Sequence, residues 1–369
     1  MFGKSGPRLS IGDTYLSFDD KVMGRLNTEM PETIRSASLA NYADVARQVG
    51  IDPLRMMRRF RIDARALRDA EMRIPVRRVA GLLEATADES GCSDFGLRMA
   101  DQRRVSDLGI VGLLVSHQST LSDVLDTMVR YRNLLNTALV LHVEEARDVA
   151  VVREELVVDF DAPKIQSYEL AVGILSRLFH SVLGPRWRPI SAHFTHVRPK
   201  HVALHRKLFG DRIEFESEFN GLTLLRADLH RPNAVVDPKL ARYAAQFVDS
   251  MHDVGQTSMA HEVRKSIYLL LPLGNASISR VASSLGLHER TLQRKLAADG
   301  AEFSELLNGV RRELAERYLS SRSYSLTRIA EMLGYTQLSS FTRWFVGEFG
   351  APPGVWRIRD PQPASTIER

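Results

Sequence analysis

A pattern that occurs twice, 48 positions apart, does most to limit how this chain of 369 residues can fold. The first copy reads Ile278-x-x-Val281-Ala282-x-x-Leu285-Gly286, and the second Leu326-x-x-Ile329-Ala330-x-x-Leu333-Gly334. Apolar residues at i, i+3, i+4 and i+7 give a helix one buried stripe. Ala282 and Ala330 are small where two helices must cross, and a glycine follows where a sharp helix exit favours positive φ. Ser277 and Ser325 stand one residue ahead of each stripe, placed to cap the first free amides. A second apolar helix follows each copy, through Leu292 and Leu296 in one and Phe341 and Phe345 in the other. Helix, glycine turn and second helix make a helix-turn-helix unit, here in tandem.

Between the units, Phe303, Leu306, Leu307, Val310, Leu314 and Tyr318 keep one stripe. They predict a long linker helix, with Gly309 inside it at a cost of about 1 kcal/mol. Burying one face of each second helix leaves the other face for a ligand. The first offers Arg290, Gln293 and Arg294; the second offers Gln337, Ser339, Thr342 and Arg343, with Leu338 and Trp344 for apolar contact or phosphate packing. Arg can hold a guanine edge, and Gln an adenine edge, through paired hydrogen bonds. Two such helices on a stiff linker predict double-stranded DNA as partner, read about 34 Å apart in successive major grooves. Extending that spacing gives a site of roughly 17–20 base pairs per monomer. The second copy has one more residue between its glycine and its first buried position, so the site should be asymmetric. The first helix should read more by base hydrogen bonds, the second more by phosphate and methyl contacts.

Charge agrees in position. The net charge is +5, and residues 260–360 hold 12 Arg and 2 Lys against 8 Glu and 2 Asp, a balance of +4. A single cysteine, Cys92, excludes a disulfide framework and a cysteine metal cluster and fits a reducing cytoplasm. No signal-peptide pattern and no run of 18 apolar residues occurs, so no membrane location is expected. Phosphate-binding glycine loops, G-x-S-x-G and H-E-x-x-H are all missing, so neither an enzyme nor a bound cofactor is expected.

The C-terminal arrangement resembles the DNA-binding domain of the AraC/XylS family of bacterial transcription regulators. The residues that carry this are Ile329-Ala330, Leu333-Gly334-Tyr335, Ser340-Phe341, Arg343-x-Phe345, Phe349-Gly350 and Pro353-x-x-Trp356-Arg357. Trp356 stands where the family usually has Tyr, and Gln337 where it often has an acidic residue or Asn. The resemblance implies a transcription factor binding promoter DNA, an activator working with RNA polymerase, and a possible homodimer. The other classes open to this sequence are a non-specific DNA-binding protein and a protein-interaction module. Each differs from a sequence-specific reader in its response to Arg294 and Arg343 substitution and to salt.

The N-terminal half reads as mixed α and β. Helices are expected over 38–61, 76–90, 121–135, 165–183 and 199–209. Strands are expected over 139–143, 149–152, 156–160, 190–194 and 213–225, the last as a hairpin turning at Asn220-Gly221. Ile74-Pro75, Phe95-Gly96-Leu97-Arg98, the helix from Ile165, His193-Phe194-x-His196, Phe209-Gly210 and Phe215 resemble the arabinose-binding-like regulatory domain of a subgroup that includes ornithine-utilisation and VirS-like regulators. This implies an effector-sensing half that takes a small molecule, with binding residues unknown. The whole chain is then α+β. It has a poorly structured lead over 1–36, a regulatory domain over 37–235, a linker over 236–259, an all-α domain with both helix-turn-helix units over 260–359, and a disordered tail over 360–369.

Three further patterns compete for a role. Val45-Ala46-x-x-Val49-Gly50 with Leu54, Met57 and Phe60 mimics the repeat, but Pro53 opens its second helix and a place inside the N-terminal core is expected. His193, His196, His201 and His205 invite a metal reading. Yet 193 and 196 fall on opposite strand faces and no carboxylate completes a set, so no metal is expected. Arg130-Tyr131-Arg132 could anchor an acidic effector, or simply expose two arginines on a helix.

Overall fold

The structure, a computed structural model, describes residues 32–158, 163–233, 258–274, 276–285, 287–320 and 324–359, with isolated positions between 239 and 246. The lead up to residue 31, the tail from 360, Gly286, and most of the linker with its expected helix over 240–251 lie outside the described residues. The end of the expected lead is built: β1, Thr33–Arg35, pairs antiparallel with β2, Arg73–Pro75.

The helical stretch over 38–61, with Pro53 opening its second helix, is a 3-10 turn at Ser36–Leu39, α1 at Tyr42–Gln48 and α2 at Pro53–Arg59. Asp52 caps α2, accepting from the amides of Leu54 and Arg55. Tyr42, Val45, Met56 and Met57 are fully buried against α3, Val76–Ser90, and α4, Phe95–Asp101. The helix-turn-helix look-alike therefore spends its apolar face on a core. Arg55 and Arg59 turn outward to Glu89.

Next come α5, Ile110–Ser116, and α6, Leu121–Leu135, opened by a capping box of Thr120 and Asp123. Strands β3, Leu139–Glu145, and β4, Val149–Leu156, form a hairpin covered by α7, Ile165–Leu183. Then follow β5, Ser191–His193, α8, Ala203–Phe209, β6, Ile213–Glu214, and β7, Asn220–Leu225. The sheet order is β3-β4-β7-β5-β6, with β5-β6 the parallel pair. Val152, Phe179, Phe194 and Leu222 sit at zero exposure in the core between sheet and helices.

One turn expectation fails here. Asn220-Gly221 lies within β7, opposite Arg153 and Glu154 of β4, and no β6–β7 hairpin forms. A Cβ on Gly221 would meet the Val152 carbonyl oxygen at 2.0 Å. Glycine is there for close strand approach, a use that shares its signature with a turn.

The C-terminal part is wholly helical: α9, Met259–Leu270; α10, Ile278–Ser284; α11, Glu289–Ala298; α12, Phe303–Ser320; α13, Leu326–Met332; α14, Leu338–Phe349; and α15, Pro353–Arg359. It has its own core, in which Val263, Ile267, Val281, Val310, Ala315, Ile329, Phe341 and Phe345 are fully buried. From Glu32 onward the described residues form one compact unit. Three groups of charges join its halves. Glu262 on α9 takes Arg132 and Lys265. Glu155 on β4 takes Arg317 of the linker helix α12. Glu218 takes Arg328 of α13 through two bonds of 2.8 Å.

Candidate nucleic-acid interface

The two helix pairs are built by the same local devices. Ser277 accepts the amide of Arg280 at 3.3 Å and Ser325 that of Arg328 at 3.1 Å, each capping its first helix. In both turns an amide beyond the helix returns to the crossing alanine: Leu287 N–H to Ala282 O and Tyr335 N–H to Ala330 O, each 2.9 Å. Gly334 takes φ +77°, the positive value its place demands. Leu292 and Leu296 in α11, and Phe341 and Phe345 in α14, are 0–2% exposed and anchor the reading helices. The turns differ in length. Four residues, 285–288, separate α10 from α11, whereas five, 333–337, separate α13 from α14.

On α11, Arg290, Gln293, Arg294 and Lys295 are all exposed. On the second unit Gln337 is the exposed residue preceding α14, and Ser339 Oγ lies 3.5 Å from its Oε1. Thr342 is half-buried and Arg343 exposed. Leu338 and Val346, 38% and 39% exposed, join Ser339, Thr342 and Arg343 around an open depression on this face. Val346 is absent from the sequence-based set, although its i, i+4, i+8 spacing with Leu338 and Thr342 was readable. Trp344 belongs elsewhere. It is half-buried among the rings of Tyr335, Phe341, Phe345 and Phe349, so it braces the unit. Trp356 meets Phe345 and Phe349 edge-on, closing the same cluster.

Charge pairing separates reading faces from supporting ones. Arg264 pairs with Glu313, Arg312 with Glu348, Arg317 with Glu155, Arg328 with Glu218 and Lys265 with Glu262. Arg311 and Arg357 donate to the carbonyls of Leu333 and Tyr324. Among the described residues of this domain, the cations left without a protein partner are Arg280, Arg290, Arg294, Lys295 and Arg343. Four of these five stand on α11 and α14. Guanidinium groups held by no carboxylate are free to meet phosphates or base edges.

Two patterns of the regulatory half gain partners in the structure. The Arg132 guanidinium pairs with Glu262, beside the fully buried Lys265. Burial would raise Glu262, but Lys265 and Arg132 outweigh it and hold its carboxyl below the usual value. Arg130 lies over the Tyr131 ring at 5.2 Å. His196, expected on a strand, follows the end of β5, and a carboxylate does join it. Glu169 Oε1 on α7 lies 2.8 Å from His205 Nε2 and 3.5 Å from His196 Nε2. Burial pushes His196 down to about 4, and both imidazoles pack against the Phe194 and Phe215 rings. His201 is exposed and apart, and His193 meets Glu214 and stacks on Phe219. Among the described residues no group of three His, Cys, Asp or Glu is placed to hold a metal ion, and no helix is long and apolar enough to cross a membrane.

Two family models match the chain. The arabinose-binding domain of AraC transcription regulators, N-terminal, covers residues 50–233, and a helix-turn-helix domain covers residues 281–359. HTH-type transcriptional regulator VirS of Mycobacterium tuberculosis is 30% identical over 331 residues, spanning 89% of this chain and 97% of that protein. Ornithine utilization regulator of Pseudomonas aeruginosa is 25% identical over 266 residues, spanning 71% and 78%. The crystal structure of transcriptional regulator CdpR from Pseudomonas aeruginosa aligns over 85% of this chain and 98% of that one, at 20% identity and a TM-score of 0.41.

Proposed function

Because the chain belongs to the AraC family of transcription regulators, and is thus a DNA-binding regulator, we propose that α11 and α14 enter successive major grooves of promoter DNA. In this reading Arg290, Gln293 and Arg294 take base edges in one groove. Gln337, Ser339, Thr342 and Arg343 take phosphates, bases and thymine methyls in the next, with Leu338 and Val346 supplying apolar contact. The observation that carries the reading is the set of partnerless cations on the two reading helices, while the neighbouring arginines are spent inside the protein. The five-residue second turn gives α14 a different pose from α11, so the site is asymmetric.

The regulatory half binds a small-molecule effector and passes its state to the DNA-binding half through the Glu262, Glu155 and Glu218 contacts. The protein acts in the cytoplasm as an activator that engages RNA polymerase, as a homodimer. Gel-shift titration against DNA upstream of its own and neighbouring genes tests the core of this. Specific, salt-dependent binding is expected, lost in the Arg290→Ala/Arg294→Ala double variant. Equal weakening on every sequence would point to a non-specific binder. No salt-dependent binding at all would leave a protein-interaction module.

A further inference from the structure

A cavity of about 130 Å3 lies between α3, α7 and the β3–β4 end of the sheet, walled by Val79, Leu83, Leu170, Ile174 and Leu175. Three buried polar atoms without a hydrogen-bond partner belong to residues lining it: Ser38 Oγ, Arg103 Nε and Glu154 Oε2. Arg103 is 4% exposed, with its two terminal nitrogens on the Ala37 and Ser38 carbonyls. Arg35, also on the wall, is held by Glu71, and the Asn136 carboxamide oxygen by the amide of Ala138. Glu154 differs from these. It is 5% exposed, and neither a cation nor an amide meets its Oε2. A buried carboxyl facing an apolar space without a donor is costly, and native proteins keep such groups where something else completes them.

We propose that this cavity is a ligand site for a small, apolar primary amine, whose body fills the aliphatic space and whose ammonium donates to Glu154. Size and chemistry each constrain the ligand. An apolar cavity of roughly 150 Å3 takes one benzene, so this slightly smaller one takes a body of no more than about six heavy atoms, with the ammonium at the wall. An acceptor in an apolar box selects a donor, and a charge-assisted bond to a carboxylate is the strongest the site can make. Burial alone raises the Glu154 carboxyl to about 8, which an ammonium at bonding distance would reverse. Calling the amine an effector rests on the regulator reading; the site itself does not.

The test uses the full chain and two probes, benzylamine and isoamylamine, followed by isothermal titration calorimetry at pH 7.5. Toluene serves as the neutral control for benzylamine. Saturable 1:1 binding of at least one amine is expected, weakened about tenfold or more in Glu154→Gln, with toluene binding unchanged by that substitution. A melting curve of Glu154→Gln matching the wild type at pH 5 establishes that the variant is folded. Equal amine affinity in the folded variant, or no amine binding up to about 10 mM, overturns the proposal. Gel shift of the same preparation without amine reads DNA binding separately. Amine binding without DNA binding would break the regulator reading and leave the site, and the reverse result would do the opposite.

Discussion

Both halves of this molecule leave charged groups without partners, but in opposite places. In the DNA-binding half the ones that bear on function are surface guanidiniums on α11 and α14; in the regulatory half the one that does is buried, Glu154. An unpaired surface cation is already solvated and adds almost nothing to folding or to its failure. An unpaired buried carboxyl must give up its charge or destabilise the fold. The same deficit therefore means availability outside and stored cost inside.

The largest test of that difference is the pH dependence of stability. Folding lifts the Glu154 carboxyl from 4.5 to about 8, so the native state holds its proton more tightly than the unfolded chain. Its contribution is complete below pH 4.5 and is lost as pH rises through 8. Wild type should lose up to roughly 5 kcal/mol across that window, and Glu154→Gln should remove this share of the slope. Urea melts at pH 5 and pH 8.5 read it; identical slopes in the two proteins would break the buried side of the comparison.

On the outside, Arg294→Ala should cost about 1–3 kcal/mol in promoter affinity and relax preference at one base pair. Its unfolding free energy should stay within about 0.5 kcal/mol of wild type. Fluorescence anisotropy on matched and single-mismatch duplexes, beside a urea melt, checks both halves of that statement. A destabilised variant would mean that the guanidinium supports the fold after all. Arg343→Ala should weaken all sequences alike and reduce the salt slope by about 1, which sharpens the division of labour between the two helices. The smallest effect is expected at Arg328–Glu218, half-exposed on both sides. A double-mutant cycle on stability should return a coupling below about 1 kcal/mol, and a larger value would make this surface contact an interdomain clamp.

What was legible in the sequence follows the range of the interactions involved. The tandem units were readable because caps, stripes and the glycine turn act within a few residues, and Ser277, Ala282, Leu292 and Phe341 hold the places their spacing assigns. Helices 76–90, 121–135 and 165–183 begin and end where their periodicity does. Long-range partners were not readable. Nothing local says that His196 and His205 share Glu169, or that Arg132 is spent on Glu262, since these pairs lie from 27 to 130 residues apart. Val346 was missed because an exposed valine on an amphipathic helix looks like noise until the neighbouring turn fixes the helix's rotation. Asn220-Gly221 misled because one glycine serves equally a turn and a close strand crossing. Glu154 was invisible for a simpler reason: a charged residue in a strand reads as solvent-facing unless the layer above it is known.

Glu154 and Glu155 are neighbours on β4. The first lines the cavity. The second accepts from Arg317 of the linker helix at 3.0 Å and from the Tyr168 hydroxyl. One peptide unit thus has the cavity at one end and the DNA-binding half at the other. Any shift of β4 that accompanies an occupant reaches Arg317 without a relay of intervening side chains. Thermodynamic reciprocity then applies in both directions. Whatever factor an occupant of the cavity imposes on DNA affinity, promoter DNA must impose on the affinity of the cavity for its occupant.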